Sequence, residues 1–83
     1  MSIPKYVSDI AEECDNELAR ATALHRPMHS AHEGYAVILE ELDELKAEVW
    51  RKQSDKAAMR KEAIQIAAMA MRFVRDVCDK EAA

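Results

Sequence analysis

Between positions 31 and 49, Ala31, Tyr35, Ile38, Leu42, Leu45 and Val49 recur at intervals of 4, 3, 4, 3 and 4. That rhythm lines six apolar side chains along one side of an α-helix and does not fit a strand, whose faces alternate at every second residue. Ser30, with Glu33 three residues later, forms a capping box ahead of it, in which each side chain satisfies an otherwise unpaired backbone N–H. This helix is expected over about 31–52. A first helix over about 4–25 opens at Pro4, which suits an initial turn. It carries Tyr6, Ile10, Cys14, Leu18 and Ala21 as its stripe and is stopped by Pro27. A third, over about 55–78, starts at Ser54 or Asp55 as N-cap. Its apolar arc (Met59, Ala63, Ile66, Ala67, Ala70, Met71, Phe73, Val74, Val77) covers roughly half the circumference. Two short neighbours cannot bury so broad a surface, and its Ala-rich side admits a close backbone. The expected fold is therefore all-α, a three-helix subunit of antiparallel helices that completes a helical bundle by homo-oligomerisation.

With 83 residues the chain makes one domain at most, and a core this thin usually needs a metal, a disulfide or a partner subunit. A disulfide is not expected. Cys14 and Cys78 both lie on apolar stripes and no signal peptide is recognisable, so they read as buried thiols of a cytoplasmic protein. No apolar run approaches the roughly 20 residues of a membrane span. Twelve basic against sixteen acidic side chains, net charge −4, argue against binding a nucleic-acid polymer. A nucleotide is not excluded, provided a cation mediates.

The most unusual stretch is EELDELKAEVW, residues 40–50, with Glu40, Glu41, Asp43, Glu44 and Glu48 in nine positions. On a solvated helix face such acids are normally interleaved with Lys or Arg, because opposite charges at i+3 or i+4 stabilise by roughly 0.2–0.5 kcal/mol and like charges cost as much. Asp43 has Lys46 and Glu48 has Lys52, whereas Glu41 and Glu44 have no basic side chain at those spacings. Glu62 on the third helix is in the same position, flanked by Ala58, Met59, Gln65 and Ile66. Asp76, by contrast, has Arg72 and Lys80 at hand, as a solvated acid would. If the second and third helices pack antiparallel, Glu41 and Glu44 face Glu62 and Gln65. Two explanations stand at this point. Another part of the fold, or another subunit, supplies the missing Lys or Arg. Or the oxygen-rich cluster holds Mg²⁺ or Mn²⁺, hard cations that take carboxylates, with no His or Cys to favour zinc.

Glu40-Glu41-Leu42-Asp43-Glu44, followed by Glu62-Ala63-Ile64-Gln65, resembles the EExxE…ExxD signature of the MazG-like, all-α nucleoside triphosphate pyrophosphohydrolases. The similarity extends over about 30–76 and suits a short single-domain member. It implies Glu41, Glu44 and Glu62 as Mg²⁺ ligands, with Mn²⁺ as a substitute, and Glu40 in a supporting acidic shell. Gln65 falls at the fourth ligand position, where the family has Asp, and removes one negative charge there. The implied reaction is hydrolysis of a ribo- or deoxynucleoside triphosphate to monophosphate and pyrophosphate, in a house-cleaning role. Glu40 or Glu44 would orient the attacking water, and no covalent nucleophile is required. A homodimer or a dimer of dimers in the cytoplasm is the form that resemblance and apolar surface together lead us to expect.

Three further residues enter as substrate-binding candidates, each with a plainer alternative. Trp50 stacks on a nucleobase, a role aromatic residues have in that family, or anchors a subunit contact. His32, with His29, meets phosphate at a helix N-terminus, or is a surface histidine. Arg72, two turns beyond Gln65 on the same face, holds a phosphate, or pairs at the surface with Asp76. Arg20, Arg26 and Lys61 are weaker candidates for the phosphate. Two rival functions remain: a non-catalytic helical interaction module with a wide Ala/Met surface, and a nucleotide-binding protein without turnover because of Gln65.

Overall fold

Pro4, fixed at φ −54° and ψ 146°, leads into α1 (Lys5–Leu24). The computed structural model describes residues 4–80, and among these it contains α-helices, a π-helical turn and no strand. After α1, Ser30 caps α2 (Ala31–Val49), and its side chain accepts the Glu33 N–H. The other half of the box reaches one residue further back than expected: Glu33 Oε2 accepts from the His29 N–H at 3.1 Å. Asp55, not Ser54, caps α3 (Lys56–Phe73), accepting from the Ala57 and Ala58 N–H groups. α2 ends at Val49, short of residue 52. The Trp50 N–H closes onto the Lys46 and Glu48 carbonyls, and the following Arg51-Lys52-Gln53-Ser54 offers no apolar side chain whose burial would sustain another turn. α3 widens at its end into the π-helical turn Val74–Cys78, where the Asp79 N–H reaches back to the Val74 carbonyl at 2.8 Å. A 3.6-residue period does not reveal such a single wide turn in advance.

α3 is the central element, packed against both α2 and α1. Short connections reverse the chain twice, so α2 runs antiparallel to α3. α1 and α3 share a direction, with Arg60 on Glu13 near one end and Arg75 on Thr22 near the other. The core is small: Ala21, Ala68 and Met69 form a buried cluster with Leu18, Val37 and Ile38 packed on them, and Cys14 and Met28 are buried besides. Gly34 is required where α2 meets α3. A Cβ there would lie 2.5 Å from Phe73 Cδ2, so only a bare backbone lets the ring seat.

The loop between α1 and α2 is fastened to the end of α3. The Met28 N–H donates to Asp76 Oδ2 at 3.0 Å, and Arg72 Nη2 donates to the Arg26 carbonyl at 3.0 Å. Asp76 is therefore buried, not the solvated acid expected; its partners are Arg75 and Met28, not Arg72 and Lys80. Counting along one helix cannot foresee a loop folded over it. Cys14 is buried as expected, but Cys78 is exposed. Much of the anticipated apolar stripe is uncovered as well. Tyr6 and Ile10 of α1 and Tyr35, Leu42 and Val49 of α2 are all exposed. Ala63, Ala70 and Met71 on α3, and Val74 at the start of the π-helical turn, are also exposed.

Gly34→Ala is expected to lower the melting temperature. Overpacking costs about 1–3 kcal/mol, more than the roughly 1 kcal/mol alanine gains over glycine within a helix. An unchanged or raised midpoint would mean that the Phe73 ring moves aside freely.

Candidate functional site

Antiparallel packing of α2 on α3 brings Glu41 and Glu44, one turn apart, against Glu62, and one carboxylate oxygen of each lies within 4.8 Å of the others. Glu41 and Glu62 are half-buried and Glu44 is exposed, so the cluster opens to solvent on one side. None of the three forms an ion pair among the described residues, although Lys61 lies close enough to Glu62, and Arg20 to Glu41, for their charges to be felt. Glu48, nearby on α2, is engaged by Arg51 at 3.1 Å; Lys52, its expected partner, lies beyond the helix end. Gln65 stands one turn beyond Glu62. In the amide orientation that satisfies both its ends, Nε2 donates to Glu62 Oε2 at 3.0 Å and to Glu41 Oε2 at 3.2 Å. A neutral side chain thus holds apart, and partly solvates, two carboxylates that would otherwise meet bare.

The protonation of the cluster reflects this crowding. Burial first, then the negative charge of Glu44 and a hydrogen bond shared with it, push the Glu41 carboxyl up to about 7. Glu62 is raised for the same reasons, burial leading and the bond to Glu44 following. Acids with a basic partner behave oppositely. Arg60 holds Glu13 low, Arg20 holds Glu17 low, and Arg75 with the Met28 N–H holds Asp76 low. Three oxygen donors in a half-buried, electron-rich cleft match the preference of Mg²⁺ or Mn²⁺, whereas Gln65 turns its amide nitrogen, not its oxygen, toward Glu41 and Glu62.

The remaining candidates divide. Glu40 is exposed beside the cluster and borders a cavity of about 370 Å³ that also touches Glu41 and Gln65. Arg72 lies at that cavity too, but buried at 4% exposure instead of on the surface, so the surface pair with Asp76 does not form. His32 is exposed in the first turn of α2, about 13 Å along the axis from Glu41 at 1.5 Å per residue. Trp50 is 75% exposed at the C-cap of α2 and, like His32, borders neither that cavity nor the wider groove between α1 and α3. Within one chain, neither residue joins the carboxylates. The contribution of α1 was less apparent from sequence. Arg20 borders both hollows, and Glu13 and Arg60 close the groove of about 660 Å³ between α1 and α3. Partners so distant along the chain leave no trace in i+3 or i+4 spacing.

A pH dependence follows from Glu41. Its folded value of about 7 exceeds the ordinary 4.5, so the folded chain holds this proton more tightly than the unfolded chain does. Stability from this group is complete below about 4.5 and is lost as pH rises toward about 7. The melting temperature of the metal-free protein is expected to fall as pH is raised through that window, and Glu41→Gln to flatten the dependence. A wild-type profile that rises over the same range would contradict the geometry of the cluster.

No family model, curated protein or solved structure matches the chain.

Proposed function

We propose that this protein is a magnesium-dependent pyrophosphohydrolase that converts a ribo- or deoxynucleoside triphosphate to its monophosphate and pyrophosphate. The observation that carries this reading is the convergence of Glu41, Glu44 and Glu62 within 4.8 Å, with no ion pair to any of them among the described residues. Like charges at that spacing, half out of water, destabilise a small domain unless a cation or protons offset them. Mg²⁺, or Mn²⁺ in its place, would be held by these three carboxylates, and Gln65, whose amide nitrogen faces them without the ion, would turn its oxygen in as the neutral fourth donor. The chemistry a bound ion supplies is offset of charge on the phosphate oxygens and a lowered pKa for the attacking water.

The chain's own groups do the rest. Glu44, on the exposed side of the cluster, or Glu40 beside it, orients the water and accepts its proton. Gln65 keeps Glu41 and Glu62 in register. Arg72 is the phosphate-holding cation of this reading, with Trp50 as base-stacking surface and His32 as a phosphate contact at the α2 N-terminus. Trp50 and His32 then act from a neighbouring subunit or on an extended substrate. The exposed apolar residues of α2 and α3 support assembly into a homodimer or dimer of dimers. A cytoplasmic, house-cleaning setting completes the reading, and no helix among the described residues is long and apolar enough to cross a membrane.

The same exposed apolar faces favour a second reading, a non-catalytic module that docks another helical protein. Magnesium separates the two: an ion that binds the folded state raises the melting temperature, and an adaptor gains nothing.

A panel of ribo- and deoxynucleoside triphosphates with magnesium, monophosphate and pyrophosphate both quantified, is expected to give the two products in equal amounts. Glu41→Gln and Glu62→Gln should each lower turnover by more than about 100-fold, beyond the range usual for outer-shell partners, with the fold retained and stability unchanged or raised. Wild-type turnover by either would remove these ligands from the proposal. Sedimentation equilibrium is expected to give a dimer or tetramer mass; a monomer at every concentration tested would remove the assembly.

A further inference from the structure

The segment Arg26-Pro27-Met28 crosses between the end of α1 and the start of α2, over the buried side chain of Arg72. Both of its ends are anchored to helices. The His25 N–H still bonds the Ala21 carbonyl of α1, and the His29 N–H is held by Glu33 of α2. His25 and Ser30, at the two boundaries, have extended backbones that leave the helical path (φ −130°, ψ 146° and φ −151°, ψ 162°). Pro27, with its fixed φ, stiffens the middle. Two hydrogen bonds fasten that middle to the end of α3: the Met28 N–H to Asp76 Oδ2, and Arg72 Nη2 to the Arg26 carbonyl, each at 3.0 Å. The Met28 side chain is 2% exposed, with its sulfur lying against Gly34. The ion pair of Arg26 with Glu33, at 3.4 Å and well exposed, adds little.

Closure of this segment has an opposing term. Arg72 is 4% exposed, and no carboxylate lies within ion-pair distance of it among the described residues. Its Nη1 meets only the Met69 sulfur at 3.2 Å, a weak acceptor, and its Nε has no partner. Asp76 is near enough for the two charges to be felt, but Arg75 and the Met28 N–H already occupy it. A guanidinium taken out of water with donors unsatisfied is destabilising. Lifting the segment breaks two hydrogen bonds and exposes Met28, yet it lets water reach every donor of Arg72. Gains and losses of similar kind stand on both sides. Asp76 itself stays in place when the segment lifts, since Arg75 ties it to Thr22 of α1 through a bond of 2.9 Å.

We propose that Arg26-Pro27-Met28 is a strap that opens on its own, pivoting at His25 and Ser30 while the three helices stay packed, with Asp76 as its latch. Opening uncovers Arg72 and the cavity of about 370 Å³ whose lining includes Arg72, Met28 and, toward the acidic cluster, Glu41 and Gln65. The movement does not depend on the nucleotide reading above; within that reading, the strap regulates what reaches Arg72 from solvent.

The test uses the intact protein with chelator present and no nucleotide. Hydrogen exchange is followed at the Met28 amide and, for global opening, at the Ala68 amide in the core, across low denaturant concentrations. Met28 is expected to exchange at least about tenfold faster than Ala68 and with little response to denaturant, the signature of local opening. Phenylglyoxal, which attacks guanidinium groups, should modify Arg72 under native conditions, with exposed Arg51 as the scale. Asp76→Asn is expected to raise both Met28 exchange and Arg72 modification by at least about tenfold, beyond any change at Ala68. Arg72→Met loses the bond to the Arg26 carbonyl but also removes the buried charge, and it is expected to slow Met28 exchange. An arginine that only secured the loop would give the reverse. Met28 exchange with the denaturant response of Ala68, Arg72 inert to phenylglyoxal below the unfolding transition, or faster Met28 exchange in Arg72→Met would each overturn the strap. Should Asp76→Asn fail to fold by circular dichroism, the wild-type series and Arg72→Met decide. None of these readouts involves turnover, so a protein that hydrolyses no triphosphate can still have the strap, and a hydrolase can lack it.

Discussion

The close approach of α2 to α3 governs the position of every group at the site. It is possible because Gly34 presents bare backbone to the Phe73 ring, at a point where any side chain would collide. One and two turns further along α2, Val37, Ile38 and Glu41 meet α3 in succession, and Glu44 follows at the rim. Apolar contact at one end of this seam thus enforces carboxylate contact at the other. Packing is what holds the acids together, against their own repulsion.

That repulsion is offset locally and incompletely. The Gln65 amide donates to two of the acids, and protonation of Glu41 near neutral pH removes part of the charge. A domain with only five buried apolar residues among those described, Cys14, Ala21, Met28, Ala68 and Met69, has little stability in reserve for such an arrangement. The exposed faces of α2 and α3 are where further stability is available, through contact with a second apolar surface. Acidic cleft and bare faces are in this sense one problem: a chain too short to bury its own apolar surface also keeps a destabilising cluster.

The three helices were legible because the apolar spacing of α2, Pro27 and the Ser30 and Asp55 caps are local signals. The meeting of Glu41, Glu44, Glu62 and Gln65 was legible for a related reason. Missing partners at i±3 and i±4 are visible in a string of letters, and a short turn between helices leaves little freedom in how they align. What escaped were the surroundings set by the loop after α1 and by the π-helical turn at the end of α3. Asp76 looked solvated and is buried; Arg72 looked superficial and lies beneath a loop; Cys78 looked internal and is exposed. In each case the loop after α1, or the width of one turn at the end of α3, decides the environment, and neither has a periodic signature. The apolar stripe of α2 is plain in the sequence, but Tyr35, Leu42 and Val49 on it are exposed, and which part α3 covers depends on how the two helices meet at Gly34.

A carboxyl that titrates near neutrality cannot carry a proton and a cation together. If a divalent ion seats at Glu41, it must expel hydrogen ions into the medium, and its apparent affinity then tracks acidity across the narrow interval in which living cells regulate their interior. Crowding of acids along one helical seam would in this way make the cleft a competitor between two kinds of positive charge, with ambient acidity setting which of them wins.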